Sequence, residues 1–148
     1  MKKVILIIIA CTFFLSGCSH LGKLSDKEIG EIINKGLKAK IYVVDIYHDK
    51  CETCKQIEPT VRKLKEYYEG NNAVVFLWYN LSNPFTLYDS MKIAKALGLE
   101  DIYKAQRYSG VVLIIDAKTK KVLDTIIAEP DIKQYATIIK KWLESNAT

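Results

Sequence analysis

The sequence predicts an α/β domain with a central mixed β-sheet of about four strands flanked by helices. Two apolar runs rich in β-branched and aromatic residues, at 39–47 and 73–79, are typical of buried parallel strands. Segments with apolar residues at steps of three and four alternate with these runs, as amphipathic helices do. Two further strands, at 111–115 and 122–128, are separated by only six residues, which favours an antiparallel hairpin.

Helices are predicted between and around the strands. Ser25 and Glu28 match a capping box at the start of the first helix. That helix is predicted to carry Ile29, Ile32, Ile33 and Leu37 on one apolar face. The remaining helices are predicted at 52–68, at 88–97 after a break at Asn83-Pro84, around 101–106, and from Pro130 onward. The last helix should turn inward Ile132, Tyr135, Ala136, Ile139, Trp142 and Leu143.

The first eighteen residues are typical of a bacterial export signal. Lys2 and Lys3 precede an apolar run at 4–15, which is shorter than the roughly 20 residues that span a bilayer. The run leads into Leu15-Ser16-Gly17-Cys18, which resembles the lipobox of bacterial lipoproteins. An ordinary signal peptide with an incidental cysteine is the alternative interpretation.

The lipobox resemblance implies a division of the chain and a location. Residues 1–17 would be removed as a lipoprotein signal peptide, residues 18–24 would form a lipidated tether, and residues 25–148 would form the domain. Lipid such as palmitate on Cys18 would hold the protein to a membrane of the cell envelope, on its periplasmic or extracytoplasmic side. Loss of Lys2 and Lys3 lowers the net charge from +5 to +3, which predicts no nucleic-acid partner.

Processing would leave Cys51 and Cys54 as the free thiols, because Cys11 lies in the signal and Cys18 carries lipid. In an oxidising compartment, a CxxC pair is normally redox-active or disulfide-bonded. A permanent structural disulfide would close a very small loop and would constrain the unfolded chain little. The sequence therefore favours a redox couple.

The surroundings of this CxxC pair resemble the thioredoxin family. Residues 44–51 follow the spacing of the family's VDFxAxWC strand, and Asp45 occupies the position of its buried aspartate. Lys55 follows the second cysteine, and Pro59 lies at the proline that bends the family's active-site helix. The resemblance covers roughly residues 39–143 and implies a thioredoxin-like fold.

The resemblance also implies a reaction. Cys51 at a helix N-terminus would be the exposed nucleophile, because unpaired amides and the helix dipole stabilise its thiolate. Cys54 would resolve the mixed disulfide, and Asp45, with a pKa raised by burial, would take the Cys54 proton. We expect a membrane-anchored monomer that acts on exported thiol or disulfide proteins, is reset by an unidentified redox partner, and uses no cofactor beyond its redox-active disulfide.

The sequence departs from the family beside the cysteines. Ser109-Gly110 stands where thioredoxins have a cis-proline that holds substrate, and we expect these two residues to contact substrate here. Glu52-Thr53 replaces the usual Gly-Pro between the cysteines. A carboxylate at Glu52 should raise the pKa of Cys51 and favour a reducing couple.

Two other functions fit the same residues. A copper or other metal carrier could use Cys51, Cys54 and His48, since two thiolates suit Cu(I) and zinc would want a fourth ligand. A redox-silent adaptor could keep only the fold and hold a partner with residues 84–109.

Overall fold

The computed structural model describes residues 23–145, so the predictions for the signal peptide and Cys18 lie outside the described residues. The elements in chain order are α1 (Asp26–Gly36), β1 (Ile41–Tyr47), α2 (Glu52–Tyr67), β2 (Val74–Asn80), α3 (Pro84–Leu97), α4 (Glu100–Ala105), β3 (Val111–Asp116), β4 (Val122–Ile127) and α5 (Ile132–Ser145). The predicted α/β architecture is confirmed.

The four strands form one mixed sheet in the order β2-β1-β3-β4. β1 and β2 run parallel, with Tyr47 opposite Asn80 at their carboxyl ends. β3 runs antiparallel to β1, so Val111 at its start pairs with Ile46. β4 returns antiparallel to β3, which confirms the predicted hairpin. The ends of β1, β2 and β4 and the start of β3 therefore share one edge of the sheet, which we call the redox edge.

Alternation along the strands divides the core between the two faces of the sheet. Tyr42, Val44 and Ile46 of β1 pack in the cluster that includes residues of α1, α3 and α4. Ile41 and Val43 pack in the second cluster, with residues of α2 and α5. Because every residue of β1 is buried, the strand before the cysteines is held from both faces.

Local sequence explains where the helices begin. The Ser25 hydroxyl accepts from the Glu28 amide, and the Glu28 carboxylate accepts from the Ser25 amide, so the capping box is confirmed. α3 begins at Pro84 rather than at the predicted residue 88. Asn83 caps it by accepting from the Phe85 and Thr86 amides, and proline suits a first helical turn because its missing N–H is not needed there. The Asn-Pro pair thus starts this helix.

The prediction that Leu37 belongs to the apolar face of the first helix is wrong. Its side chain is 67% exposed, because α1 ends at Gly36 and Leu37 is the residue that caps it. The inward positions of α5 fit better: Tyr135 and Ile139 are fully buried, and Ile132, Ala136, Trp142 and Leu143 pack partly buried against them. Within residues 23–145, the helices are too short or too polar to cross a membrane.

Candidate active site

Cys51 lies at the redox edge, where the chain leaves β1 and starts α2. It is the N-cap residue of α2, and its sulfur accepts from the Cys54 amide at 3.1 Å. A helix N-terminus leaves backbone N–H groups unpaired and carries the positive end of the helix dipole. The partly exposed Cys51 sulfur is thus placed where a thiolate is stabilised and can be approached from outside.

Cys54 lies one turn deeper in the same helix and is buried. Its thiol donates to the Ile46 carbonyl at 3.8 Å. Burial and the hydrogen bond with Cys51 raise the pKa of Cys54 to about 11, against smaller lowering effects from the His48 backbone and the Ser109 hydroxyl. Cys54 is therefore a protonated thiol at neutral pH, shielded from solvent.

The pKa of Cys51 moves in the opposite direction. Partial burial raises it, but hydrogen bonds from the Cys54 thiol, the Ser109 hydroxyl and the backbone amides of Cys54 and Thr53 together bring it below the ordinary value. The two thiols of the pair are thus differentiated, and Cys51 is the one that ionises first.

The prediction that Glu52 raises the pKa of Cys51 above its ordinary value is wrong. The Glu52 carboxylate is well exposed and forms an ion pair with Lys55 at 2.8 Å, so water and a neighbouring cation screen its charge. The pKa of Cys51 is lowered overall by hydrogen bonds, which is the opposite of the direction expected from Glu52. A reducing couple stays a prediction, but without this support.

Ser109 and Gly110 lie beside the sulfurs, on the segment that leads into β3. The Gly110 amide donates to the Ile46 carbonyl at 2.8 Å, and its carbonyl accepts from the Ala128 amide at 3.2 Å. These bonds continue the sheet and bring the Ser109 hydroxyl to both cysteine sulfurs. The sequence predicted a substrate contact at Ser109, and the structure adds a thiolate donor.

Gly110 has a backbone φ of +80°, which proline cannot adopt. A Cβ atom at this position would lie 2.9 Å from Thr53 Cγ2 and 3.5 Å from Cys51 Sγ. The described residues contain no cis peptide bond. The family's proline is therefore replaced by a backbone turn that packs against the cysteine loop.

Asp45 lies on β1, two residues before its end, and is only 3% exposed. Its Oδ1 atom is buried without a hydrogen-bond partner among the described residues. Burial, and secondarily the charge of Glu58, raises the pKa of Asp45 to about 7. The raised pKa agrees with the sequence prediction and suits a group that exchanges a proton near neutral pH.

Glu58 and Tyr47 belong to this region and were missed by the sequence analysis. Glu58 lies on α2 one turn after Cys54, and its charge acts on both Asp45 and Tyr47. Burial and the charge of Glu58 raise the pKa of Tyr47, and the charges of Cys54 and Asp45 add to that rise. The step of four residues from Cys54 to Glu58 was the available signal, because it places both on one side of the helix.

His48 does not complete a three-ligand metal site. Its Nδ1 atom accepts from the Lys50 amide at 3.0 Å, within the turn that precedes Cys51. Across residues 23–145, no three His, Cys, Asp or Glu side chains are grouped to hold a metal ion. The metal-carrier interpretation therefore depends on the two cysteines alone.

Comparison with known proteins agrees with the fold. The chain is similar to a thiol:disulfide interchange protein of the thioredoxin family from Chlorobium tepidum, at 17% identity over 72% of this chain and 82% of that chain, with a TM-score of 0.51. It is also similar to the DsbH oxidoreductase, at 18% identity over 84% and 85% of the two chains, with a TM-score of 0.51. A comparison with curated protein sequences finds no match.

A family model identifies the family, which structural likenesses at 17% and 18% identity do not. The thioredoxin model matches residues 20–98, which include β1, the two cysteines and β2. That match covers more than half of the sequence and agrees with the observed sheet and helix order, so the chain belongs to the thioredoxin family.

Proposed function

We propose that the protein is a membrane-anchored thiol–disulfide oxidoreductase of exported proteins. The observation that carries the proposal is that the two thiols differ in exposure and in pKa. Cys51 is partly exposed and has a lowered pKa, whereas Cys54 is buried and has a raised pKa. A thiolate is the species that attacks a disulfide, and a shielded thiol is suited to the second step.

In the reducing direction, the Cys51 thiolate attacks one sulfur of a client disulfide, and the other client sulfur leaves as a thiolate. Cys54 then loses its proton and attacks the Cys51 sulfur, which releases the client's second sulfur and leaves a Cys51–Cys54 disulfide. Two electrons have passed to the client. A redox partner must return two electrons to the pair, and the oxidising reaction follows the same steps in reverse.

Asp45 is the proposed acceptor of the Cys54 proton, directly or through water. It is buried with an unpartnered oxygen, and its pKa of about 7 lets it hold or release a proton at neutral pH. Attack by Cys54 needs this help because the thiol's own pKa of about 11 leaves almost no thiolate at that pH.

Cys51→Ser tests the proposal against a matched Cys54→Ala protein. We expect Cys51→Ser to abolish reduction of a disulfide substrate and to capture no clients. Cys54→Ala should form a mixed disulfide with clients and fail to release them. A wild-type rate in Cys51→Ser, with circular dichroism showing an intact fold, would rule the exchange activity out.

The exported location and lipid anchor are the second part of the proposal. They are supported by the charged, apolar and Leu-Ser-Gly-Cys pattern of residues 1–18, which lies outside the described residues. Metabolic labelling with palmitate in a bacterial host should mark the wild-type protein, while Cys18→Ala should stay unlabelled. Labelling of the Cys18→Ala protein would contradict the proposed acylation site.

A further inference from the structure

The redox edge carries an unusual share of exposed aromatic surface. Among the described residues, four aromatic side chains are largely exposed, and three of them lie at this edge: Phe85 at 67%, Tyr88 at 64% and Tyr108 at 79%. Phe85 and Tyr88 lie in the first turns of α3, which starts just beyond the end of β2. Tyr108 directly precedes Ser109. Three exposed aromatic side chains at one end of the sheet are a candidate contact site for a partner or a membrane.

The chain enters the domain near the same edge. The Leu24 amide donates to the Asp89 carboxylate of α3 at 2.8 Å. The next residue of α3, Ser90, accepts from the amide of Asn80 at 3.1 Å. Asn80 is the last residue of β2 and lies opposite Tyr47 at the end of β1. Leu24 is thus held beside the carboxyl ends of the parallel strands, from which the cysteine loop departs.

The direction of α1 confirms this placement. Its first residue, Asp26, forms an ion pair with Lys92 at 2.8 Å, and its last, Gly36, packs against Leu97 at the end of α3. α1 and α3 therefore run in the same direction, away from the redox edge. The chain reaches the opposite edge only at Leu37, shortly before β1 begins.

We propose that the redox edge lies on the membrane surface that holds the lipid of Cys18, with Phe85, Tyr88 and Tyr108 in contact with the lipid headgroups. This inference rests on the lipid anchor of the proposed function. Five residues lie between Cys18 and Leu24, and the six Cα-to-Cα steps limit their separation to about 20 Å even in a fully extended chain. A short tether that starts beside the active site keeps that end of the domain near the bilayer.

The aromatic side chains suit this position because tyrosine combines an apolar ring with a polar hydroxyl and is enriched at membrane interfaces. The charges at the edge are mixed: Lys50 and Arg107 are exposed, while Asp49 adjoins Lys50 in the sequence and Glu129 follows the end of β4. Charge therefore contributes little selectivity for anionic lipid. The tether and the aromatic residues provide the attachment.

The placement defines a substrate class. Cys51 would meet disulfides or thiols presented at the membrane surface, such as those in the external loops of membrane-embedded proteins, in preference to freely diffusing proteins. The lipid surface itself is the partner that Phe85, Tyr88 and Tyr108 contact. The client reaches Cys51 from the side, along that surface.

The test measures which edge faces the lipid. The full-length acylated Cys54→Ala protein, with a fluorophore on Cys51, is placed in vesicles of phosphatidylethanolamine and phosphatidylglycerol that contain a headgroup-quencher lipid. The matched control carries the fluorophore on Leu37→Cys in a Cys51→Ala/Cys54→Ala background, because Leu37 is exposed at the opposite edge. We expect strong quenching at position 51 and weak quenching at position 37. Equal quenching, or stronger quenching at position 37, would overturn the inference.

Two variants separate the contributions of the aromatic residues and the tether. Phe85→Ser/Tyr88→Ser should reduce the quenching at position 51, while Tyr67→Ser, an exposed aromatic at the other edge, should not. Inserting about 20 Gly and Ser residues before Lys23 should also reduce it, since a flexible linker of that length frees the domain from the surface. No response to either change would contradict the proposed contact. Absence of acylation would overturn both the proposed lipid anchor and this inference. It would not affect the proposed exchange activity of Cys51, which the Cys51→Ser variant tests separately in solution.

Discussion

Gly110 faces Cys51 so closely that a Cβ atom added to it would lie 3.5 Å from the Cys51 sulfur. The same atom would lie 2.9 Å from the Thr53 methyl carbon, inside the distance that real Cβ atoms tolerate. The glycine also holds a φ of +80°. Where the family has proline, this protein thus uses a residue with neither a side chain nor a fixed φ to bring the β3 segment against its cysteines.

Gly110→Ala should lower the free energy of unfolding, and by more than the backbone conformation alone explains. An alanine at positive φ costs about 1–2 kcal/mol, and the contact with Thr53 adds to it. Gly70→Ala is the matched control, because Gly70 has a φ of +83° and open space around it. Urea unfolding of both variants checks the difference. Equal losses would show that the Thr53 contact relaxes without cost.

Ser109→Ala should raise the pKa of Cys51, because the thiolate loses one of the hydrogen bonds that stabilise it. The rate of alkylation at neutral pH should fall, and Ser109→Thr, which keeps the hydroxyl, should restore much of it. Titration of the thiolate's ultraviolet absorbance in a Cys54→Ala background measures the pKa directly. An unchanged titration in Ser109→Ala would show that the hydroxyl does not reach the thiolate in solution.

Asp45→Asn should stabilise the protein at alkaline pH and slow its exchange reaction. The folded protein holds the pKa of Asp45 at about 7, against an ordinary value of 3.8. Between these values, the folded state binds a proton that the unfolded state has lost, so stability falls as pH rises from about 4 to about 7 and stays lower above it. At 1.36 kcal/mol for each pKa unit, the loss is at most about 4 kcal/mol.

Chemical unfolding at two pH values checks this expectation. Asp45→Asn should exceed the wild type clearly in free energy of unfolding near pH 8 and match it more closely near pH 4. A variant that is less stable than the wild type at pH 8 would mean that the ionised carboxylate is well solvated in the fold.

Glu58→Gln should lower the pKa of Asp45, because the charge of Glu58 is the second cause that raises it after burial. The pH dependence of stability should then move toward lower pH, as should the pH profile of the Cys54-dependent step. Glu52→Gln is the control, since Glu52 is exposed and paired with Lys55. If Asp45 titrates identically by NMR in wild type and Glu58→Gln, the two carboxyl groups do not interact.

The fold was largely predictable because its signals are local. β1 and β2 are short apolar runs, the short turn between β3 and β4 favours an antiparallel hairpin, and the capping box marks the start of α1. The starting point of α3 was missed because Asn83-Pro84 both breaks a chain and caps a helix, and the sequence alone does not separate these roles. Leu37 was misplaced because periodicity continues one residue beyond the point where α1 ends.

The positions of the site residues were predictable from the family motif, whereas several of the interactions between their side chains were not. Cys51, Cys54 and Asp45 belong to one sequence motif, so their arrangement could be predicted from the motif. The prediction that Glu52 raises the pKa of Cys51 was wrong because the exposure of Glu52 and its ion pair with Lys55 depend on the side chains of the folded helix. The position of Ser109 beside the cysteines followed from the family resemblance, but the hydrogen bonds of its hydroxyl to the sulfurs depend on the antiparallel pairing of β3 with β1 and were not predicted.

The most direct test of the account is the pH dependence of alkylation of each cysteine in the reduced wild-type protein, followed by peptide mass spectrometry. We expect Cys51 to react at neutral pH, with a midpoint below that of an ordinary thiol. Cys54 should stay unmodified until strongly alkaline pH, in keeping with its pKa of about 11. Modification of Cys54 before Cys51, or of both with one midpoint, would contradict the assignment of Cys51 as the nucleophile.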